Sequence, residues 1–350
     1  MPAVRRLLSR SAGRLALAAT LAAGWAASAG AAPATAPQLV TYISGYATSK
    51  PEVVLANVDG TQPRALGRGS AALLSPDGSR VAALDTGANS TLSVYSSAGG
   101  EPLTLYGTNQ FMQLLGWSPD SRLLLVAVGT THGQLLAFDV GANTHATVAS
   151  GAFKGASFEP GGSDAIVYAS ANATGSAVNL FITTPAGTPT HQLTHDNRSE
   201  FPVWGRRGIV YSRLTPGAEG TTPALQLWFI KPGGAGMRQL TDMHMPNTKF
   251  TGLTPIAFSA NGEHLLANLV GPNWYEAYAV DLTRAKAAPR DLTASNGGTI
   301  GDAISANGAF VLATRGSLSD QGALAIEMVR WNSGRPAVLA KNGAYASWDR

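Results

Sequence analysis

The 350-residue chain contains no cysteine. That absence excludes disulfides, thiol nucleophiles, thiolate metal ligands and a lipid-modified N-terminal cysteine. Charge is also scarce, at 13% of residues. The formal net charge of +4 suggests a basic protein, but residues 1–36 hold four of the 25 basic residues and none of the 21 acidic ones. The remainder is balanced, 21 against 21, so it lacks the electrostatic footprint of a nucleic-acid binder. No apolar run reaches the ~20 residues that a membrane-spanning helix needs. There is no Gly-x-Ser-x-Gly elbow for a serine nucleophile and no glycine-rich loop followed by Lys-Ser/Thr for a phosphate.

What is present is apolar residues and turn formers. The chain is 45% hydrophobic, enough to bury a large core, and has 40 glycines and 20 prolines, as expected for many short strands. At the N-terminus, Arg5, Arg6, Arg10 and Arg14 precede the apolar stretch Leu15–Ala27 and the Ala-x-Ala sites at Ala29 and Ala31. This order predicts a secretory signal over residues 1–31, a short linker over 32–37 and one domain over 38–350. The expected location is periplasmic or secreted.

One short pattern recurs along the domain. An apolar or aromatic residue precedes Ser-Pro-Asp-Gly or a substitute, and a dense apolar run follows. It stands at Leu74–Gly78, Trp117–Asp120, Phe158–Gly161, Trp204–Gly208, Phe258–Gly262 and Ile304–Gly308. Proline presets φ for the turn and glycine supplies positive φ after it. A second kind of hairpin alternates with it, as in Leu225–Thr241 around Lys231-Pro232-Gly233-Gly234. The apolar runs, such as Leu123–Val128, do not alternate in polarity, so both faces of each sheet must be covered. A repeat of this length predicts an all-β propeller of four-stranded blades. Six complete units begin near residues 71, 112, 154, 201, 253 and 299. Leu39–Ile43 lacks a strand before it and Ala344–Arg350 lacks one after it. Joined, they predict a seventh blade that closes the ring; six blades is the alternative.

The aromatic-Ser-Pro-Asp-Gly turn, Asp59-Gly60 and Arg238-Gln239-Leu240-Thr241 together resemble the propeller repeat of the TolB family, over nearly all of residues 38–350. The resemblance implies an exported propeller that binds another envelope or secreted protein. TolB resembles a six-bladed ring with a preceding α/β domain, for which this sequence shows no room. Similar repeats also precede hydrolase domains in oligopeptidases.

Function is expected in the longest loops on the face where D–A and B–C connections gather. The candidate binding residues are His195, Asp196, Asp242, His244, Trp274 and Tyr275. Imidazole and carboxylate at the first four suit a polar or metal site, and Trp and Tyr suit an interface anchor. No four ligands stand at a recognisable metal spacing, so no metal and no cofactor is expected. The primary reading is a monomeric binding or scaffold protein, not an enzyme. The alternative is a hydrolase or lactonase with a metal or polar site on the loop face. The repeated aspartates are expected to form turns, and Trp117, Phe158, Trp204 and Phe258 to be core.

Overall fold

The computed structural model describes residues 39–46, 48–86, 89–172, 174–216, 223–243, 251–271, 275–284, 288–292, 298–316 and 324–349. Every regular element among them is a β-strand, and all lie in the unit Ala34–Arg350. The expected signal segment, His244 and Trp274 lie outside the described residues.

The strands pair antiparallel in sets of four, and one parallel pairing, Leu225 with Gly252, links two neighbouring sets. The first set takes β1 (Leu39–Ser44), β2 (Glu52–Asn57) and β3 (Arg64–Arg68). The second is β4 (Ala71–Leu74), β5 (Arg80–Thr86), β6 (Ser90–Ser96) and β7 (Leu103–Thr108). The third is β8 (Met112–Trp117), β9 (Leu123–Val128), β10 (Gly133–Asp139) and the start of β11 (Thr144–Phe158). The end of β11 opens the fourth set, with β12 (Ile166–Ala171), β13 (Val178–Thr183) and β14 (His191–Gln192). The fifth is β15 (Ser199–Gly205), β16 (Gly208–Thr215), β17 (Ala224–Ile230) and β18 (Arg238–Gln239). The sixth is β19 (Gly252–Phe258), β20 (His264–Val270), β21 (Tyr275–Asp281) and β22 (Arg290–Asp291). The seventh is β23 (Thr299–Ile304), β24 (Phe310–Arg315), β25 (Ala325–Arg330) and β26 (Pro336–Lys341). The last strand, β27 (Gly343–Trp348), returns to pair with β1 and gives the first set its fourth strand.

The core shows how the sets are arranged. Buried apolar residues form seven clusters, and each lies between two successive sets. Leu84 and Leu92 pack with Leu124 and Phe138, for example, and Leu266 and Ala279 with Val311 and Val329. The cycle closes where Leu312 and Ile326 meet Val40, Val54 and Trp348. The first strands of successive sets also touch one another in cyclic order, β27 with β4 and on around to β23 with β27. They form the inner layer of a ring. Each sheet is covered on both faces by its neighbours, which explains the unbroken apolar runs. Every residue of β9 is buried.

The Ser-Pro-Asp-Gly turns have one repeated construction. Ser75, Ser118, Ser259 and Ser305 are buried, and each backbone N–H donates to the carbonyl five residues on at 2.8–2.9 Å. Each hydroxyl accepts from the N–H five residues on, at 2.8–3.0 Å, and donates to the Asp or Asn two residues on. Hydrogen bonds hold the Asp77 and Asp120 carboxyls below the usual range, against an opposing desolvation that is the largest single influence at Asp77. These aspartates are turn formers. Phe158, Trp204 and Phe258 are buried, while Trp117 is half-buried and donates its indole N–H to Leu73 O at 3.1 Å.

Three outer strands are shorter than the sequence pattern suggests. β14, β18 and β22 each have two residues. In two of these sets a threonine hydroxyl replaces the next ladder bond. Thr194 Oγ1 accepts from Leu180 N and Thr241 Oγ1 from Leu227 N, both at 2.9 Å.

Candidate functional site

Strand direction alternates within each set, so B–C connections, D–A connections and the starts of the inner strands share one end of the ring. The four described candidates, His195, Asp196, Asp242 and Tyr275, belong to segments at this end. His195 is exposed. Asp196 is half-buried: its Oδ1 accepts from Arg198 N at 3.0 Å and Ser199 Oγ at 2.8 Å, and its buried Oδ2 faces Arg213 Nε at 2.7 Å in an ion pair. Arg213 in turn lies 4.2 Å over the Trp228 ring. Beneath them Tyr211 is completely buried; burial, then the Asp196 charge, push its hydroxyl up to about 12. Asp196 therefore braces the D–A loop onto β16. Asp242 is exposed, and the neighbouring Met243 backbone is held in both directions by the buried Gln226 amide, at 3.1 and 2.9 Å. Tyr275 is half-buried at the start of β21. Among the described residues, no three His, Asp or Glu side chains gather as a metal-binding group.

The channel wall carries a feature that the sequence did not reveal. Six of the seven inner strands contain a register shift against their partner, at Leu115, Lys154–Gly155, Phe201–Pro202, Ile256, Asp302 and Tyr345–Ala346. Bulges re-aim side chains and are enriched at barrel rims and active sites. Two bulky residues there adopt the left-handed region, Phe201 at φ 53° and Tyr345 at φ 54°. Such a conformation costs about 1–3 kcal/mol and marks a site that its surroundings over-determine.

At Tyr345 those surroundings are visible. Its N–H donates to Thr314 Oγ1 at 2.7 Å, and the Thr314 hydroxyl donates to Asp302 Oδ2 at 2.7 Å. The Asp302 carboxyl also accepts from the Ala346 N–H. Burial raises this carboxyl to about 7 against the two hydrogen bonds. The Tyr345 and Tyr46 rings meet edge-on at 4.8 Å. Burial pushes the Tyr345 hydroxyl up, and Tyr46, Asp302 and Tyr275 add to the effect. Of the four described sequence candidates, Tyr275 thus joins a second functional group at the channel. Across the ring, burial raises Glu200 while the Lys154 charge opposes it. The sequence signal for Asp302 was faint: one carboxylate inside the otherwise uncharged strand Thr299–Ile304.

Seven radially packed four-stranded sheets around a bulged inner layer decide the architecture. The fold is a β-propeller. The propeller domain of the trilobed protease from Pyrococcus furiosus superimposes with a TM-score of 0.65 at 12% identity, over 88% of this chain and 94% of that one. TolB from Acinetobacter baumannii gives 0.55 at 13% identity, over 88% and 82%. An oligogalacturonate lyase solved with manganese gives 0.55 at 12%, over 89% and 85%. No family model matches the propeller's sequence, and no curated protein matches it. The neighbours include both enzymes and TolB, so the likeness is one of fold.

Proposed function

We propose that this propeller is an exported binding protein that presents its D–A and B–C loop face to another envelope or secreted protein. The observation that carries the reading is how side chains are disposed at that face. The carboxylate best placed for chemistry there, Asp196, is engaged in holding its loop, while large side chains stand open: Phe111 is 58% exposed and Leu214 43%. Tyr46, Tyr275 and Tyr345 add a tyrosine cluster where the ring closes. Exposed aromatic and aliphatic groups on a rigid scaffold suit protein recognition. The arginine-rich, apolar N-terminal segment supports export. Among the described residues, no helix is long and apolar enough to cross a membrane.

The test is site-specific photocrosslinking in cells, with the crosslinker at Leu214 or Tyr275 and, as control, at Arg122 on the opposite end. A discrete crosslinked partner from the loop-face positions alone supports the reading. Crosslinks only from Arg122, or none from any position, would overturn it.

A hydrolytic reading has one foothold, the Asp302 carboxyl raised to about 7 beside Tyr345, which suits a general acid–base role. It requires that Asp302→Asn abolish an activity of the purified protein.

A further inference from the structure

The polar side chains of this propeller's turns are mostly engaged with its own backbone. Asp59 holds Thr61, Asn172 holds Ser176 and Ala177, and Asp281 holds Thr283. One place on the loop face departs from that habit. At the top of the third set, Gln110, His132, Gly133, Gln134, Ser150 and Gly151 line an open groove of about 410 Å³. Among the described residues, no hydrogen bond engages the side chains of Gln110, His132, Gln134 or Ser150; Gln110 is held through its backbone N–H, which donates to Thr108 Oγ1 at 3.2 Å.

The floor is built to stay bare. A Cβ at Gly133 would sit 2.5 Å from Val128 O, and one at Gly129 would sit 3.0 Å from Gly133 Cα and 3.3 Å from Gln110 Oε1. The B–C loop is therefore pressed close against the strand ends, with Gly133 buried and Gly129 half-buried. Phe111 directly follows Gln110; its carbonyl accepts from Gly129 N at 2.7 Å, and its ring is exposed.

We propose that this groove binds a short, neutral oligosaccharide. Two primary amides and a hydroxyl offer the paired donors and acceptors that match adjacent sugar hydroxyls. An exposed aromatic ring offers a flat apolar surface for the C–H face of a pyranose. The lining has no carboxylate, lysine or arginine, and His132 is its one ionisable side chain, so no fixed charge in it selects a strongly charged ligand. Its volume lies within the ~300–1,000 Å³ of small-molecule sites, toward the lower end. The site uses the same face as the proposed protein contact but does not depend on that contact.

Titration of the mature protein with short cello-, malto- and chito-oligosaccharides, followed by NMR, tests it. Saturable shifts of the Gln110 and Gln134 side-chain amides are expected with at least one series. Gln134→Ala and Phe111→Ala should each weaken that binding about tenfold, as loss of a hydrogen-bonding or stacking group predicts. Both residues are exposed, so the melting temperature should hold and report an intact fold. No saturable shift with any series overturns the proposal. So does binding that both variants leave unchanged, or binding only to an acidic oligogalacturonate. Because the probes are sugars alone, failure here is separate from failure of the crosslinking at Leu214 and Tyr275.

Discussion

Two neighbouring junctions of the ring solve one problem with different chemistry. Between the sixth and seventh sets, the buried Asn268 amide grips Gly301: Gly301 N donates to Oδ1 at 2.8 Å, and Nδ2 donates to Gly301 O at 3.1 Å. A Cβ at Gly301 would lie 3.0 Å from Asn268 Oδ1, so this close approach needs glycine. Between the seventh set and β27, the grip comes from Asp302 and Thr314 on Ala346 and Tyr345. The first grip itself involves no ionisable group. The second holds β27, which itself pairs with β1 without a chain connection, and depends on a group that ionises. The difference teaches that the closing strand is gripped through a buried carboxyl where comparable grips on inner strands are neutral, such as Ser157 accepting from Trp204 N at 3.1 Å and Ser212 donating to Leu253 O at 2.8 Å, while the ion pairs Arg122–Asp164 and Arg207–Glu263 that span other junctions are more exposed.

The largest expected effect comes from removing the closing strand. Deleting residues 344–350 uncovers the edge of β1 and removes the buried Ala344, Ala346 and Trp348. Thermal melting should lose its single cooperative transition or fall sharply; an unchanged melt would break the comparison at its root. Next, Asn268→Ala leaves the Gly301 N–H and carbonyl buried without partners. It should cost roughly 2 kcal/mol in denaturant unfolding, equally at pH 5 and pH 8.

Asp302→Asn should behave differently. The folded-state carboxyl titrates at about 7, above its ordinary 3.8. Its contribution is therefore fully present below about pH 4 and is lost as pH rises through 7. Native protein should lose up to a few kcal/mol over that window, and the variant should lose less. Parallel stability–pH curves for the two proteins would remove Asp302 as the source. The smallest effect is expected at a neutral junction. Ser121 occupies the turn position that Gly78, Gly262 and Gly308 fill elsewhere, at φ 61°. Its hydroxyl accepts from Asp77 N of the neighbouring set at 3.1 Å. Ser121→Gly relieves the backbone but loses that bond, so chemical denaturation should shift by less than about 1 kcal/mol.

Much of the ring was legible because its turns impose residue types. A serine that must bond five residues ahead and a following residue at positive φ leave a mark in each repeat, and strands begin at Ala71, Met112, Ser199, Gly252 and Thr299, near the positions the pattern implies. The outer strands were overestimated because Thr194 and Thr241 resemble strand residues while their side chains end the ladder. The site was less legible. Asp196 looked like a ligand because its loop is polar, yet its partners Ser199 and Arg213 could be recognised only once β15 and β16 were paired. The bulges at Phe201 and Tyr345 depend on how seven inner strands share one channel, and no local pattern encodes that. The groove beside Gln134 draws residues from three separate segments, each unremarkable alone.

β11 runs for 15 residues without a turn, pairing with β10 through Thr144–Gly151 and with β12 through Ala152–Phe158. Elsewhere a connection separates successive sets. A circular permutant opened at 109–111 or in the Asp196 loop should still fold, whereas one opened at Gly151 cuts a strand that two sheets share. The third and fourth blades are thus one mechanical piece: pulled from either end, the ring should yield them together, as a single step about twice the length of the others.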